Sequence, residues 1–80
     1  MNDSPNVTLP ELRKMRKMTQ LAVSKNMGIS QPSVQKVENQ KDMQISTLDR
    51  YIRAIGGTLE LHVIIDNQRL VLGMNNEQVS

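Results

Sequence analysis

Residues 18–38, with the sequence MTQLAVSKNMGISQPSVQKVE, predict two short helices joined by a tight turn. Thr19 can cap the first helix and Gly28 can end it, because helices commonly stop where a glycine takes a positive φ. The second helix opens with small and amide side chains, whereas Val34 and Val37 lie on its inner side, three residues apart. This helix is therefore suited to packing one face on a domain while its first turn faces outward.

One more helix is predicted on each side of this pair. Thr8 and Glu11 form a capping box, in which each side chain satisfies a backbone N–H of the other residue, and predict a helix over residues 9–16. Ser46, with Asp49 at the acidic third position, predicts the start of the fourth helix, which a pair of glycines ends. The expected buried stripe of that helix consists of Leu48, Tyr51, Ile52 and Ile55.

After the glycine pair the hydrophobic period changes from helical to alternating, which is typical of a β-strand. Every second position of the next segment is apolar, at Leu59, Leu61, Val63 and Ile65. Polar turn residues at 66–68 then precede residues 69–72, a candidate returning strand. The expected fold class is mainly α: a four-helix domain followed by a short C-terminal β-strand or hairpin.

The composition limits the size and kind of domain. The chain has 80 residues, 38% of them hydrophobic, with one Tyr and no Phe or Trp, so its core must be thin and mainly aliphatic. The lack of cysteine excludes disulfides and Cys-ligated zinc and fits a reducing cytoplasm. No apolar run reaches the length of a membrane span, so no membrane partner is expected. A thin core without a covalent staple predicts oligomerisation.

Charge is distributed unevenly along the chain. Residues 11–41 hold seven Lys and Arg residues against two Glu residues, a net charge of +5, whereas residues 42–80 hold three Arg against five acidic residues, a net charge of −2. The basic half is suited to a polyanion such as nucleic acid, and the acidic half indicates a second, different partner. The alternative is a solvated charged surface, and Lys14, Arg16 and Lys17 are interpreted in that way.

The sequence offers no catalytic constellation. His62 is the one histidine and lies on the polar side of the predicted strand, without a second ligand or nucleophile near it in the sequence. No Ser/His/Asp set, carboxylate pair or phosphate-binding loop is evident, so we expect neither an enzyme nor a metal or cofactor site.

The pattern of residues resembles the Xre/Cro/CI helix-turn-helix family, found in phage repressors and bacterial antitoxins. The resemblance spans roughly residues 9–56. The matching positions are Thr19-Gln20, Gly28-Ile29-Ser30-Gln31, Val34 and Val37-Glu38-Asn39. It implies a homodimer that binds a palindromic double-stranded DNA operator, with the second helix of the motif in the major groove.

The resemblance also implies residue roles. Base contacts would come from Gln31, Pro32, Ser33 and Lys36. Phosphate contacts would come from Thr19, Gln20, Asn39 and Lys41. Gln20 would also brace Gln31, and an ion pair between Arg13 and Glu38 would hold the recognition helix. The family often has a glycine where this chain has Gln40, and often an alanine where it has Ser24.

The continuous stretch over residues 42–63 resembles the antitoxin branch of the family, which includes HigA-like and HipB-like proteins. This implies a toxin partner, either a RelE/HigB-type ribonuclease or a HipA-type kinase. A lone strand leaves an unpaired edge, so the predicted strand favours a dimer or toxin interface. The alternative is a strand that folds back on its own domain. The residues of that interface would be Leu59, Leu61, Val63 and Ile65.

The leading hypothesis is thus an antitoxin that represses its own operon from the cytoplasm. The alternatives are a stand-alone or phage-type repressor without a toxin, and a protein-interaction module that no longer binds DNA. The predicted organisation is a disordered segment at residues 1–7, the DNA-binding domain at 8–56, the strand or hairpin at 57–72 and a flexible tail at 73–80.

Overall fold

The computed structural model describes residues 6–73 of the chain. In chain order these residues form α1 (Leu9–Met15), α2 (Gln20–Met27), α3 (Gln31–Asn39), α4 (Ile45–Ala54), β1 (Leu61–Ile65) and β2 (Gln68–Leu72). The prediction of a mainly helical fold with a C-terminal hairpin is confirmed. Apart from residues 6, 7 and 73, the segments expected to be disordered or flexible lie outside the described residues. Along residues 6–73, every helix is too short or too polar to cross a bilayer.

The first helix begins where the capping residues predict. The Thr8 side chain accepts a hydrogen bond from the backbone N–H of Glu11, and the Glu11 carboxylate accepts one from the backbone N–H of Thr8 at 2.8 Å. Thr19 caps α2 by accepting from the N–H of Ala22 at 3.0 Å. Gly28 ends α2 with φ 72°, a left-handed conformation that glycine adopts without steric cost.

The predicted N-cap of α4, Ser46, is wrong by two residues. The helix begins at Ile45 with Gln44 as its N-cap, whose carbonyl accepts the first helical hydrogen bond from the N–H of Leu48 at 3.1 Å, and Gln44 makes no side-chain cap. Asp49 instead forms an ion pair with Arg53, one turn later, at 3.0 Å. The fourth helix therefore depends on its packing rather than on a side-chain cap.

The core lies between the helices and is almost wholly aliphatic. Its buried residues are Val23, Met27, Val34, Val37, Tyr51, Ile52, Ala54 and Ile55. Leu21 of α2 lies outside this core and is 50% exposed. The inward side of α2 follows Val23, Ser24 and Met27, and a pitch of 3.6 residues places Leu21 about 100° from its centre.

Long polar side chains tie the helix ends together. Asn26 Nδ2 donates to the carbonyl of Ala54 at 2.8 Å, and Arg50 Nη2 donates to the carbonyl of Met27 at 3.0 Å, so α2 and α4 each satisfy the other's C-terminal end. Such carbonyls have no partner within their own helix. These two hydrogen bonds fix α2 against α4 independently of the aliphatic core.

Arg16 makes a third contact of this kind, between α1 and the end of α4. Its Nε donates to the carbonyl of Ile55 at 2.8 Å, so this exposed residue, interpreted from the sequence as general surface charge, also makes a specific contact within the domain. Its guanidinium lies over Gly56, where an added Cβ would be only 2.8 Å from Arg16 Nη2. The flexible end of Arg16 could shift away from such a Cβ, but Gly56 also has φ 88°, so the backbone conformation favours glycine here.

The two strands form an antiparallel hairpin with a two-residue turn. Leu61 pairs with Leu72, Val63 with Leu70, and Ile65 with Gln68. Asp66 and Asn67 between the strands have φ 52° and 67°, as in a type I′ turn, which matches the twist of the strands it joins. The returning strand predicted from the sequence is confirmed and includes one more residue at its start.

Candidate nucleic-acid interface

The first turn of α3 is exposed. Gln31, Pro32 and Ser33 in this turn are open to solvent, as is Lys36 in the last turn, whereas Val34 and Val37 of the same helix are buried. The Oγ of Ser33 also lies 2.8 Å from the Oγ of Ser30, the residue that caps the helix. The four candidate base-contacting residues are therefore accessible along α3, which is held from behind by apolar packing.

Gln35 is a further exposed amide on α3 that the sequence reading did not select. It lies one turn after Gln31 and, at 3.6 residues per turn, on the side opposite Val34 and Val37. Gln35 could have been selected from the sequence, because it follows Gln31 by four residues and residues at this spacing lie on the same side of a helix. The exposed side of α3 thus carries two amides and one ammonium group, all of which can donate hydrogen bonds to base edges.

A buried polar network, which we call the Glu38 network, lies behind this helix. Arg13 Nε donates to Glu38 Oε2 at 2.7 Å, and the two side chains are only 11% and 3% exposed. Gln20 Nε2 donates to Glu38 Oε1 at 2.9 Å, and the Tyr51 hydroxyl donates to Oε2 at 2.6 Å. Arg13 Nη1 also donates to the carbonyl of Met18 at 3.1 Å. The carboxylate near the end of α3 therefore receives donors from α1, α2 and α4.

The ionisation of the Glu38 network follows from these contacts. Burial alone raises the pKa of Glu38, but the hydrogen bonds from Arg13, Tyr51 and Gln20 outweigh it and leave that pKa below its ordinary value. Burial, and then the hydrogen bond to Glu38, raises the pKa of the Tyr51 phenol. The network therefore holds a charged carboxylate and a neutral phenol throughout the neutral pH range.

The candidate phosphate-binding residues lie around the ends of α2 and α3. Thr19 and Lys41 are exposed, and Asn39, also exposed, is the last residue of α3 rather than part of the following loop. Gln20 is half-buried, and its amide nitrogen donates to Glu38. The described contacts of Gln20 join it to Glu38, and no hydrogen bond from Gln20 to Gln31 is found among residues 6–73.

The hairpin presents an apolar face with little cover. The face of β1 that carries Leu61, Val63 and Ile65 is continued across the hairpin by Leu70 and Leu72, since directly paired residues share a face. Ile65, Leu70 and Leu72 are 54%, 47% and 51% exposed. Leu59 precedes the strand and packs against the helical core instead. The sequence reading missed the two leucines of β2, although their spacing of two was visible.

His62 lies on the opposite face of the hairpin, where its Nε2 is 3.2 Å from Glu60 Oε1. Within residues 6–73, no group of His, Asp and Glu side chains is arranged to hold a metal ion.

Two short helices joined at Gly28, with the second presenting an exposed first turn, define a helix-turn-helix domain. A family model described as Helix-turn-helix matches residues 10–61. The chain belongs to this family.

The similar curated proteins are antitoxins. Antitoxin HigA1 of Mycobacterium tuberculosis, from the CDC 1551 / Oshkosh and H37Rv strains, is 39% identical over 61 residues, which cover 75% of this chain and 41% of the relative. The chain thus spans about two-fifths of the length of the curated relatives it matches.

Two solved structures are similar over nearly their whole length. One, described as a HigA antitoxin with DNA bending induced by a unique dimerization, is 28% identical with a TM-score of 0.77, over 89% of this chain and 97% of that chain. The other, a DNA-bound antitoxin HigA3, is 28% identical with a TM-score of 0.82, over 91% of this chain and 97% of that chain. The resemblance to HigA-like proteins inferred from the sequence is confirmed.

Proposed function

We propose that this chain is a sequence-specific DNA-binding repressor, not an enzyme, which acts as the antitoxin of a toxin–antitoxin module and represses its own operon. The observation that carries the proposal is the exposed first turn of α3. An amide such as that of Gln31 pairs bidentately with adenine, and Lys36 can donate to guanine O6 and N7. A repressor acts on chromosomal DNA, so we place the protein in the cytoplasm.

The proposed DNA-binding form is a homodimer on a palindromic operator. Its interface is the apolar hairpin face formed by Leu61, Val63, Ile65, Leu70 and Leu72. An isolated two-stranded hairpin is marginal in water, and pairing with a second copy would cover its apolar side chains. Two recognition helices would then enter successive major grooves about 34 Å apart. The similar HigA structures, described with dimerization and bound DNA, support this arrangement.

The proposed protein partner is a toxin encoded beside this chain. Similarity to HigA antitoxins favours a RelE/HigB-type ribonuclease over a HipA-type kinase. Co-expression with the adjacent reading frame tests this proposal. A stable complex, together with relief of growth arrest, supports it, and an adjacent gene whose product neither binds nor arrests growth favours a stand-alone repressor.

Binding to the chain's own promoter, measured by fluorescence anisotropy, tests the DNA contacts. Gln31→Ala is expected to cost about 1–3 kcal/mol and to relax the preference at one base pair. Lys41→Ala is expected to weaken all sequences alike and to reduce the salt slope by about 1, since it removes a phosphate contact. The matched controls are Gln44→Ala, just before α4, and Lys14→Ala on α1, both exposed and outside the helix-turn-helix pair.

Failure of the wild-type protein to prefer its promoter over unrelated DNA at low salt would refute the proposed function. A uniform loss of affinity in Gln31→Ala, equal for every sequence, would refute its role in base reading while leaving DNA binding intact.

A further inference from the structure

We propose that Tyr51 is a positioning residue for DNA reading, which acts through Glu38 to fix the orientation of α3. This inference rests on the proposed function, because it concerns how the same helix is held for base contact. Tyr51 belongs to α4, outside the helix-turn-helix pair, and is wholly buried, so it has no surface with which to contact DNA itself.

Tyr51 joins the end of α3 to the rest of the domain. Its ring is wholly buried, with 0% exposure, and its hydroxyl lies 2.6 Å from Glu38 Oε2 and 3.3 Å from the Leu9 carbonyl. A charge-assisted O–H···O⁻ bond has this length. One phenol therefore joins α4 to the carboxylate of α3, beside the start of α1.

A directional contact of this kind is needed to fix the rotation of α3 about its own axis. Val34 and Val37 hold the helix by apolar burial, which is non-directional and tolerates a small turn or slide. Glu38 lies seven residues after Gln31, so it is about two turns, or about 10 Å, along the same rigid helix. A shift at Glu38 is therefore carried to Gln31, where bidentate contact with a base edge demands close placement.

Among the donors to Glu38, Tyr51 is suited to fix its position. Arg13 and Gln20 reach the carboxylate through flexible aliphatic stems, whereas the Tyr51 ring is rigid and packed on all sides. The lowered pKa of Glu38 and the raised pKa of Tyr51 agree with a bond that persists throughout the neutral pH range.

The test compares Tyr51→Phe with Asn26→Ala, using the operator and unrelated DNA of equal length. Tyr51→Phe removes the hydroxyl and keeps the ring. Asn26→Ala removes another hydrogen bond to α4, the one to the Ala54 carbonyl, which is remote from Glu38. The readout is the ratio of operator affinity to unrelated-DNA affinity. A variant that is merely less folded loses both affinities in proportion, so this ratio separates positioning from folding.

We expect Tyr51→Phe to lower the ratio about tenfold, since a hydrogen bond to a charged group is at stake, and Asn26→Ala to leave it unchanged. The second readout is the pH below which the protein no longer prefers its operator. This pH is expected to be higher in Tyr51→Phe, because Glu38 has lost a donor that lowers its pKa. An equal loss for both DNAs in Tyr51→Phe, up to complete loss of binding, overturns the proposal. A wild-type protein without operator preference refutes the proposed function itself.

Discussion

Replacement of Glu38 by Gln removes the charge at the centre of the buried network and keeps its shape. A glutamine can still accept from one side, but its NH2 group then faces the Gln20 amide or the Arg13 guanidinium, which are donors themselves. Each carboxylate oxygen accepts from two donors, so the NH2 group takes the place of an acceptor for two of them, and the Arg13 charge, 11% exposed, loses its counter-charge. Breaking a buried pair in this way costs about 3–5 kcal/mol.

That cost is comparable with the whole stability of so small a domain, since a single core of this size rarely supplies more than about 3–5 kcal/mol. Urea unfolding followed by circular dichroism at fixed protein concentration measures the effect. With a slope of about 1 kcal/mol per molar urea, the midpoint of Glu38→Gln should fall by about 3 M or vanish. The control Asp49→Asn breaks the exposed ion pair to Arg53 and should cost less than about 0.5 kcal/mol.

The contribution of Glu38 to the stability of the fold also depends on pH. Because the pKa of Glu38 is lower in the folded state, its contribution to stability is present above the unfolded pKa of about 4.3 and is lost as the pH falls through the folded value. In Glu38→Gln, this part of the decrease in stability at acid pH should be absent. A loss of less than about 1 kcal/mol at neutral pH, or an unchanged acid slope, would show that the network does not stabilise the fold as described.

Two further predictions concern Tyr51 and the hairpin. Tyr51 is the one tyrosine of the chain, so absorbance at 295 nm reports the ionisation of its phenol alone. Its raised pKa predicts that the stability of the fold decreases above about pH 10 and that the phenol ionises only with unfolding. Ionisation of the phenol at pH 10 in a protein that is still folded would contradict its burial. Val63→Glu is expected to give monomers in sedimentation experiments in which the wild type is a dimer. The control Ile64→Glu, on the opposite face of the hairpin, is expected to stay dimeric. An unchanged dimer mass in Val63→Glu would exclude this face from the interface.

Local signals in the sequence predicted the helices well. The Thr8 and Glu11 capping box and the Gly28 stop act within one turn of chain, so their spacing alone identifies them. The predicted start of α4 was wrong because Ser46 is a good cap by residue type, yet the chain enters the helix two residues earlier, after Gln44. The change of period correctly predicted the hairpin.

The Glu38 network was only partly predictable. The Arg13–Glu38 pair came from family resemblance, and periodicity placed Tyr51 in the buried stripe of α4. Nothing in the spacing indicates where a phenol hydroxyl points across 13 residues of chain, because that depends on how α3 and α4 pack. The same reason explains why the hydrogen bond from Arg16 to the Ile55 carbonyl was not predicted. The individual DNA contacts stay predictions.

The conformation of Gly56 has a consequence for any assembly built on the hairpin. An added Cβ would meet only the flexible end of the Arg16 side chain, which can shift, but a φ of 88° strains any residue other than glycine. This strain would fall just after α4, where the chain leaves the helical body for the hairpin. In the proposed dimer, a substitution at position 56 would therefore strain the link between the DNA-binding domain and the interface without touching DNA or the partner.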